Sequence, residues 1–352
     1  MSISFLPGPS QITEKTLADL QEIATSGLLS ESHRSQVFKD TCLSAVRGIE
    51  RRMRIPDNYR VVFTSSATSA MSVCLRSLVR ERCHHFVHGA FGARFHAMAL
   101  RLGLTARVTD GDPAHALDWR STDLTPGCEL MALTHNETSR GSMWPHAEMA
   151  QLRARHPDPL LVIDATSSFG AMAMDWSTAD LWFCSVQKCL GLPAGLGILL
   201  VGPRALAVAG HLLALDLPHR PCPQESLSEM SERMAEGQTF ETPNVLAIAL
   251  LARQMEAWDL DSIEEVIRQK VSMLDRLAPG AVPYMEDPVW RSLTVQNLRC
   301  SDPDRLRKRA AAQGFLIGKG YGPQARTCVR IANFPATTRH QYEALLEALE
   351  AG

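Results

Sequence analysis

From residue 59 to about residue 200, short runs of β-branched and aliphatic residues alternate with stretches whose apolar side chains recur every three or four positions. This alternation predicts an α/β fold, a mainly parallel sheet covered by helices. The strand candidates are 60–63, 84–88, 106–109, 129–133, 160–163, 181–185 and 198–201, which makes the sheet seven-stranded. Between the first two, Ala67, Ala70, Met71, Cys74, Leu75 and Leu78 form one apolar helix face that packs on the sheet. After Pro243 an apolar-periodic helix, with the proline in its first turn, runs towards Trp258, and a charged stretch and another helix follow. Beyond these, 292–297 and 329–334 read as strands and 304–313 and 339–349 as helices, a small α+β unit. The chain therefore divides into residues 1–250, an N-terminal segment with the large domain, and residues 251–352, a small C-terminal domain.

Composition narrows the partners. With 45% hydrophobic and 21% charged residues and a formal net charge of -2, the chain has neither the basic excess of a nucleic-acid binder nor the polarity of a disordered one. Small molecules are the expected partners. Met1 to Pro9 carry no basic stretch followed by an apolar core, and no apolar run reaches membrane-spanning length, so a cytoplasmic protein is expected, with no membrane partner. Nine cysteines form no CxxC pair and are read as reduced, mostly buried thiols. Strand alternation sends His84 and His88 to one face and His85 to the other, so no metal site is expected there.

Two strand ends carry chemistry. The run 160–163 ends in Asp164-Ala165-Thr166-Ser167-Ser168, and 181–185 continues through Val186 and Gln187 to Lys188, before the glycine-rich 191–197. In open α/β sheets this carboxyl edge is where ligands bind. An amine that forms an imine and shuttles protons, with a carboxylate that keeps a ring nitrogen protonated, is what pyridoxal phosphate chemistry requires. Phe63-Thr64-Ser65-Ser66-Ala67-Thr68 joins a strand to a helix, and a helix N-terminus with free amides suits the cofactor phosphate. Phe91, among small residues after a strand, suits stacking on a flat ring. Each has a plainer role: Asp164 capping a turn, Lys188 solvated in a loop, Ser65 or Ser66 capping the helix, Phe91 in the core.

Together and in this order, the segments resemble the class V aminotransferases of fold type I, and within them the phosphoserine aminotransferase branch, over nearly the whole chain. The matching segments are Phe5-Leu6-Pro7-Gly8-Pro9, Ser32-His33-Arg34-Ser35, Asn136-Glu137-Thr138 with Gly141, Asp164 to Ser168, Ser185 to Lys188, Thr242-Pro243, and Val329 to Pro335. The resemblance implies a Schiff base on Lys188, a ring-nitrogen partner in Asp164, a stacking ring in Phe91 and a contact from Thr138 near the ring hydroxyl. It implies a cofactor phosphate among Ser66, Ala67, Thr68 and Gln187, with Thr242 reaching across from the second subunit of a homodimer. Arg330 would hold the substrate carboxylate through two parallel hydrogen bonds. His33 and Arg34 would meet the other end, a phosphate or a side-chain carboxylate. The implied reaction turns 3-phosphohydroxypyruvate and glutamate into phosphoserine and 2-oxoglutarate, a step of serine biosynthesis.

The chain also departs from that pattern. Glu241 and Cys189 stand where asparagine is common, and the His-Arg pair that many members carry before the last arginine is absent, leaving Lys319, Tyr321, Gln324 and Arg326. A transaminase of the alanine- or serine-glyoxylate type is therefore the alternative. A cysteine desulfurase using Cys328 is a weaker one, because Cys328 lies two residues before Arg330 in a strand-like run and not on a flexible loop. A cofactor-free binding protein on the same fold would lack the yellow absorbance of the bound cofactor.

Overall fold

The computed structural model describes residues 2–219, 221–274 and 281–350. The chain opens with β1 (Ile3–Phe5), α1 (Glu14–Thr25) and α2 (Gln36–Arg52). The alternating region then runs β2 (Arg60–Thr64), α3 (Ala67–Leu78), β3 (Arg82–Val87), α4 (Ala90–Arg101), β4 (Thr105–Asp110) and β5 (Leu130–Thr134). A short hairpin follows, β6 (Asn136–Glu137) and β7 (Ser142–Met143), then α5 (His146–Arg155), β8 (Leu160–Asp164), β9 (Leu181–Ser185) and β10 (Gly197–Val201). Helices α6 (Pro203–Leu213), α7 (Leu227–Ala235), α8 (Val245–Glu256) and α9 (Leu260–Met273) lead to β11 (Val282–Pro283), β12 (Val295–Arg299), α10 (Pro303–Ala312), β13 (Phe315–Lys319), β14 (Cys328–Ala332) and α11 (Arg339–Glu350). None of the described helices is long and apolar enough to cross a membrane.

The expected seven-stranded sheet is present, in the order β2-β10-β9-β8-β5-β3-β4. Only β10 runs against its neighbours. Strands β8, β9 and β10 are apolar on both faces because both are covered. Leu161, Ile163, Trp182, Cys184, Ile198 and Leu200 face a core shared with α2 and α8, whereas Leu160, Val162, Leu181, Phe183, Leu199 and Val201 face α3, α6 and α7. The predicted apolar face of α3 lies in this second core.

The C-terminal sheet, β1-β13-β14-β12-β11, contains more than the two strands the sequence suggested. Its edge strand β1 comes from the opposite end of the chain and pairs in parallel with β13. Three residues with one inward phenylalanine carry too little periodicity to be read as a strand; Phe5 becomes one by packing edge-on against Phe315 and Tyr342. Pro243 also differs from expectation. It precedes the cap of α8, and Asn244 is the cap, its side chain accepting the Ala247 amide at 3.0 Å. Six of the nine free cysteines are buried, Cys328 among them.

Candidate active site

The carboxyl ends of the central strands bring distant segments to one edge. Thr134 pairs with Asp164 and Asp164 with Phe183, while Gly197 lies between Thr64 and Ser185. Above them lies a cavity of about 660 Å³ lined by Ser66, Ala67, Thr68, Phe91, Thr138, Asp164, Gln187 and Lys188. Eight residues singled out from the sequence thus share one space. Lys188 is not a solvated loop lysine. It is largely buried, and Nζ donates to the Pro7 carbonyl. Gly8 (φ +146°) packs so closely on the end of the Lys188 side chain that a Cβ there would overlap it.

Asp164 is buried, and one of its oxygens, Oδ1, accepts the Thr166 amide at 2.9 Å and the Thr166 hydroxyl at 2.5 Å. The turn-capping role is therefore real, but it uses only one oxygen. Among the described residues Oδ2 has no hydrogen-bond partner. Burial raises the carboxyl to about 6, against the lowering pull of Thr166 and the weaker one of Lys188. Burial likewise lowers Lys188 to about 8, and the positive charge of Arg330 pushes the same way. Burial thus disfavours charge on both groups.

Ser66 caps α3, its hydroxyl accepting the Ser69 amide at 3.1 Å. The next amides, of Ala67 and Thr68, have no partner among the described residues. They line the cavity beside the positive end of the helix dipole, ready for an anion. Gln187 is fixed by the Ser185 hydroxyl at 2.6 Å. This donor set fits pyridoxal phosphate: a dipole end for the phosphate, an unpartnered carboxylate oxygen for the ring nitrogen, a partly buried aromatic beside the cavity and an amine.

Phe91 is held by a residue to which sequence reasoning gave no role. Helix α4 begins at Gly89 without a capping side chain of its own. Its orphan amides, on Phe91 and Gly92, donate instead to the buried Glu137 carboxylate at 2.9 and 3.2 Å, and Ser139 completes that carboxylate's shell. An uncapped glycine start followed by no nearby acceptor was the available signal. Arg94, also unassigned, lines the cavity with its guanidinium 5.2 Å from the Phe91 ring centroid. Asn136 ties the cavity floor to the second sheet, donating to Ser167 at 2.8 Å and Thr294 at 2.9 Å.

Arg330 sits on β14. Its Nε donates to the Lys319 carbonyl at 2.7 Å, its Nη1 to the Thr138 carbonyl at 3.4 Å, and its guanidinium lies 5.4 Å from the Tyr321 ring centroid. Tyr321 in turn meets Phe91 at 5.9 Å. Arg330 does not itself line the Lys188 cavity, and three further predicted residues do not either. Thr242 lines a separate cavity of about 620 Å³ with Ser65, Gly195 and Phe240. His33 is half-buried and Arg34 exposed, on the turn before α2, and neither lines the Lys188 cavity. Of the three histidines near β3, His84 bonds Thr109 at 2.8 Å, His85 meets the Cys83 thiol at 3.5 Å and His88 the His115 carbonyl at 2.9 Å.

Residues 4–278 match the sequence profile of the family described as aminotransferase class-V. A phosphoserine aminotransferase of Rhodococcus opacus (strain B4) is 28% identical over 357 residues, spanning 97% of this chain and 93% of the relative. The crystal structure of a phosphoserine aminotransferase from Cytophaga hutchinsonii superposes with a TM-score of 0.96 at 29% identity, covering 100% of this chain and 99% of the other. An alanine–glyoxylate aminotransferase of Nostoc sp. shares the fold, with a TM-score of 0.82 at 19% identity over 99% of this chain and 94% of the other.

Proposed function

The chain belongs to the class V aminotransferases, and on that premise we propose that it moves an amino group from glutamate to 3-phosphohydroxypyruvate, giving phosphoserine and 2-oxoglutarate. One observation carries the choice of substrate. Similarity to phosphoserine aminotransferases extends over essentially the whole chain, with a TM-score of 0.96 to one of them.

When bound, pyridoxal phosphate supplies an electron sink for the bond that breaks at the substrate α-carbon. The protein's own groups do the rest. The α3 amides of Ala67 and Thr68, the Ser66 and Thr68 hydroxyls and Gln187 would hold the phosphate, and Phe91 and Thr138 would contact the ring and its hydroxyl. Asp164 Oδ2 keeps the ring nitrogen protonated, because a carboxylate in a dry site attracts that proton strongly. Lys188 would hold the cofactor and would carry the proton at the substrate α-carbon; a lysine lowered to about 8 exchanges protons readily near neutral pH. Arg330 takes the substrate carboxylate.

Thr242, His33 and Arg34 complete the site from the second subunit of a homodimer. None of the three lines the Lys188 cavity of its own chain, which supports this reading. It includes a cofactor-binding unit of residues 1–250 and a smaller unit of residues 251–352, with β1 lent to the latter's sheet, and a cytoplasmic role in serine biosynthesis. A glyoxylate-type transaminase is the second reading. It is favoured by the loop before β14, which sets the neutral Tyr321 ring, and no His-Arg pair, beside Arg330. A desulfurase is disfavoured because Cys328 is fully buried within β14.

The deciding experiment is a rate comparison for the cofactor-loaded protein with glutamate as donor. Turnover with 3-phosphohydroxypyruvate should exceed that with glyoxylate or pyruvate by at least about tenfold in kcat/KM, the discrimination of one charge-assisted hydrogen bond. Equal or faster turnover of glyoxylate would remove the phosphoserine assignment.

A further inference from the structure

Three charged side chains line the Lys188 cavity: Lys188, Asp164 and Arg94. Lys188 is assigned to the carbonyl end of the cofactor and Asp164 to its ring nitrogen, which leaves the phosphate with neutral donors only, the Ala67 and Thr68 amides, two hydroxyls and Gln187. A phosphate monoester carries about 1.5 to 2 negative charges at neutral pH, against about +0.5 from the end of a helix dipole. Most of that charge would stay uncompensated, in a cavity where burial already disfavours charge on Asp164 and Lys188. Arg330 does not line the cavity, and its Nε and Nη1 are committed to the Lys319 and Thr138 carbonyls.

Arg94 is the cation that remains. It stands three residues after Phe91 on α4, so both side chains leave the same helix face, and its guanidinium lies 5.2 Å from the Phe91 ring centroid. Ala67, Thr68 and Met71, from the start of α3, line the same cavity, and α3 packs beside α4. Arg94 is exposed and, among the described residues, makes no hydrogen bond and no ion pair, so no partner within the chain competes with a ligand for it. Contact with the Phe91 ring restrains the side chain at the cavity wall, which lowers the entropy it loses on binding.

We propose that Arg94 is a ligand of the cofactor phosphate, pairing with it from α4 and supplying the charge that the neutral donors of α3 lack. The proposal rests on the pyridoxal phosphate reading of the cavity, and it leaves the anionic groups of the substrate to Arg330, His33 and Arg34.

The test compares two probes that differ by the phosphate, pyridoxal phosphate and pyridoxal. Each is titrated into the intact chain, and binding is followed by the absorbance of the lysine-bound aldehyde and by tryptophan fluorescence. In Arg94→Gln, affinity for pyridoxal phosphate should fall at least about tenfold, the loss of one charge-assisted hydrogen bond, while affinity for pyridoxal stays within about twofold of native. Arg94→Lys, which keeps the charge, should recover most of the loss. Arg94→Met, whose unbranched stem still packs on Phe91, repeats the measurement if Arg94→Gln does not fold. Native affinity for pyridoxal phosphate in a folded variant would overturn the assignment. So would an equal fall for both probes, because Arg94 would then act on the ring through Phe91. If the native protein takes up neither probe, the cofactor reading itself falls, and the role of Arg94 with it; uptake of pyridoxal phosphate by native and variant alike removes Arg94 alone.

Discussion

Burial and hydrogen bonding pull the Asp164 carboxyl in opposite directions, and burial wins, raising it from 3.8 to about 6. Between those pH values the folded chain binds more protons than the unfolded one, so its stability falls as pH rises through the window. Above about pH 6 the full cost is present, on the order of 2–3 kcal/mol for a group this buried. Cofactor-free Asp164→Asn should therefore be more stable than the native protein by about that amount near pH 8, with an advantage below about 1 kcal/mol near pH 4. Urea denaturation at the two pH values measures it. Equal stability near pH 8 would mean the carboxylate is not strained by its surroundings. The same substitution should cost transamination at least about a hundredfold in kcat, because a neutral amide does not hold a proton on the ring nitrogen. Lys188→Ala tests the partner group: it should abolish the absorbance of the lysine-bound cofactor together with turnover, and turnover near the native rate would rule out the role given to Lys188. A site that is costly without its cofactor is a common exchange of stability for function.

At the scale of elements, the positions of α3 and β10 depend on each other through Gly197. A Cβ there would lie 2.7 Å from the Ser66 carbonyl carbon and 2.8 Å from its oxygen, both backbone atoms that yield only if the start of α3 shifts. Gly197→Ala should destabilise the fold by about 1–3 kcal/mol, as overpacking does, and weaken cofactor binding by moving the phosphate-facing amides. Chemical denaturation and a cofactor titration measure both effects; native affinity in a well-folded Gly197→Ala protein would show that α3 does not set phosphate binding. The elements themselves were legible where side-chain pattern alone decides them. Most of the seven strands are β-branched or apolar runs between glycine-rich or polar turns, and Asp164 and Lys188 could be placed at one edge because each follows such a run. What was not legible depends on pairings across the chain. The Pro7 carbonyl meets Lys188 across 181 residues, and Asn136 reaches Thr294 across 158. Strand β1 exists only because β13 accepts it, and Glu137 matters only because α4 has no cap of its own.

For the whole molecule, the decisive fact is that one chain holds the predicted site in two parts. Lys188, Asp164, Phe91 and the start of α3 share a cavity, whereas Thr242 lines another and the turn bearing His33 and Arg34 lies before α2. If each site in a twofold homodimer combines one chain's cavity with the other chain's turn, then defects placed in different chains can leave one site whole. A chain carrying Lys188→Ala and a second chain carrying Arg34→Ala, each poorly active towards phosphoserine alone, would be co-expressed with different tags and isolated as the mixed dimer. In that dimer the intact Lys188 of one chain faces the intact Arg34 of the other, while the opposite site carries both lesions. Activity should return to about half that of the native dimer, one working site of two. Were Arg34 to serve the cavity of its own chain, both sites of the mixed dimer would be defective, and activity would stay at the level of the parent variants.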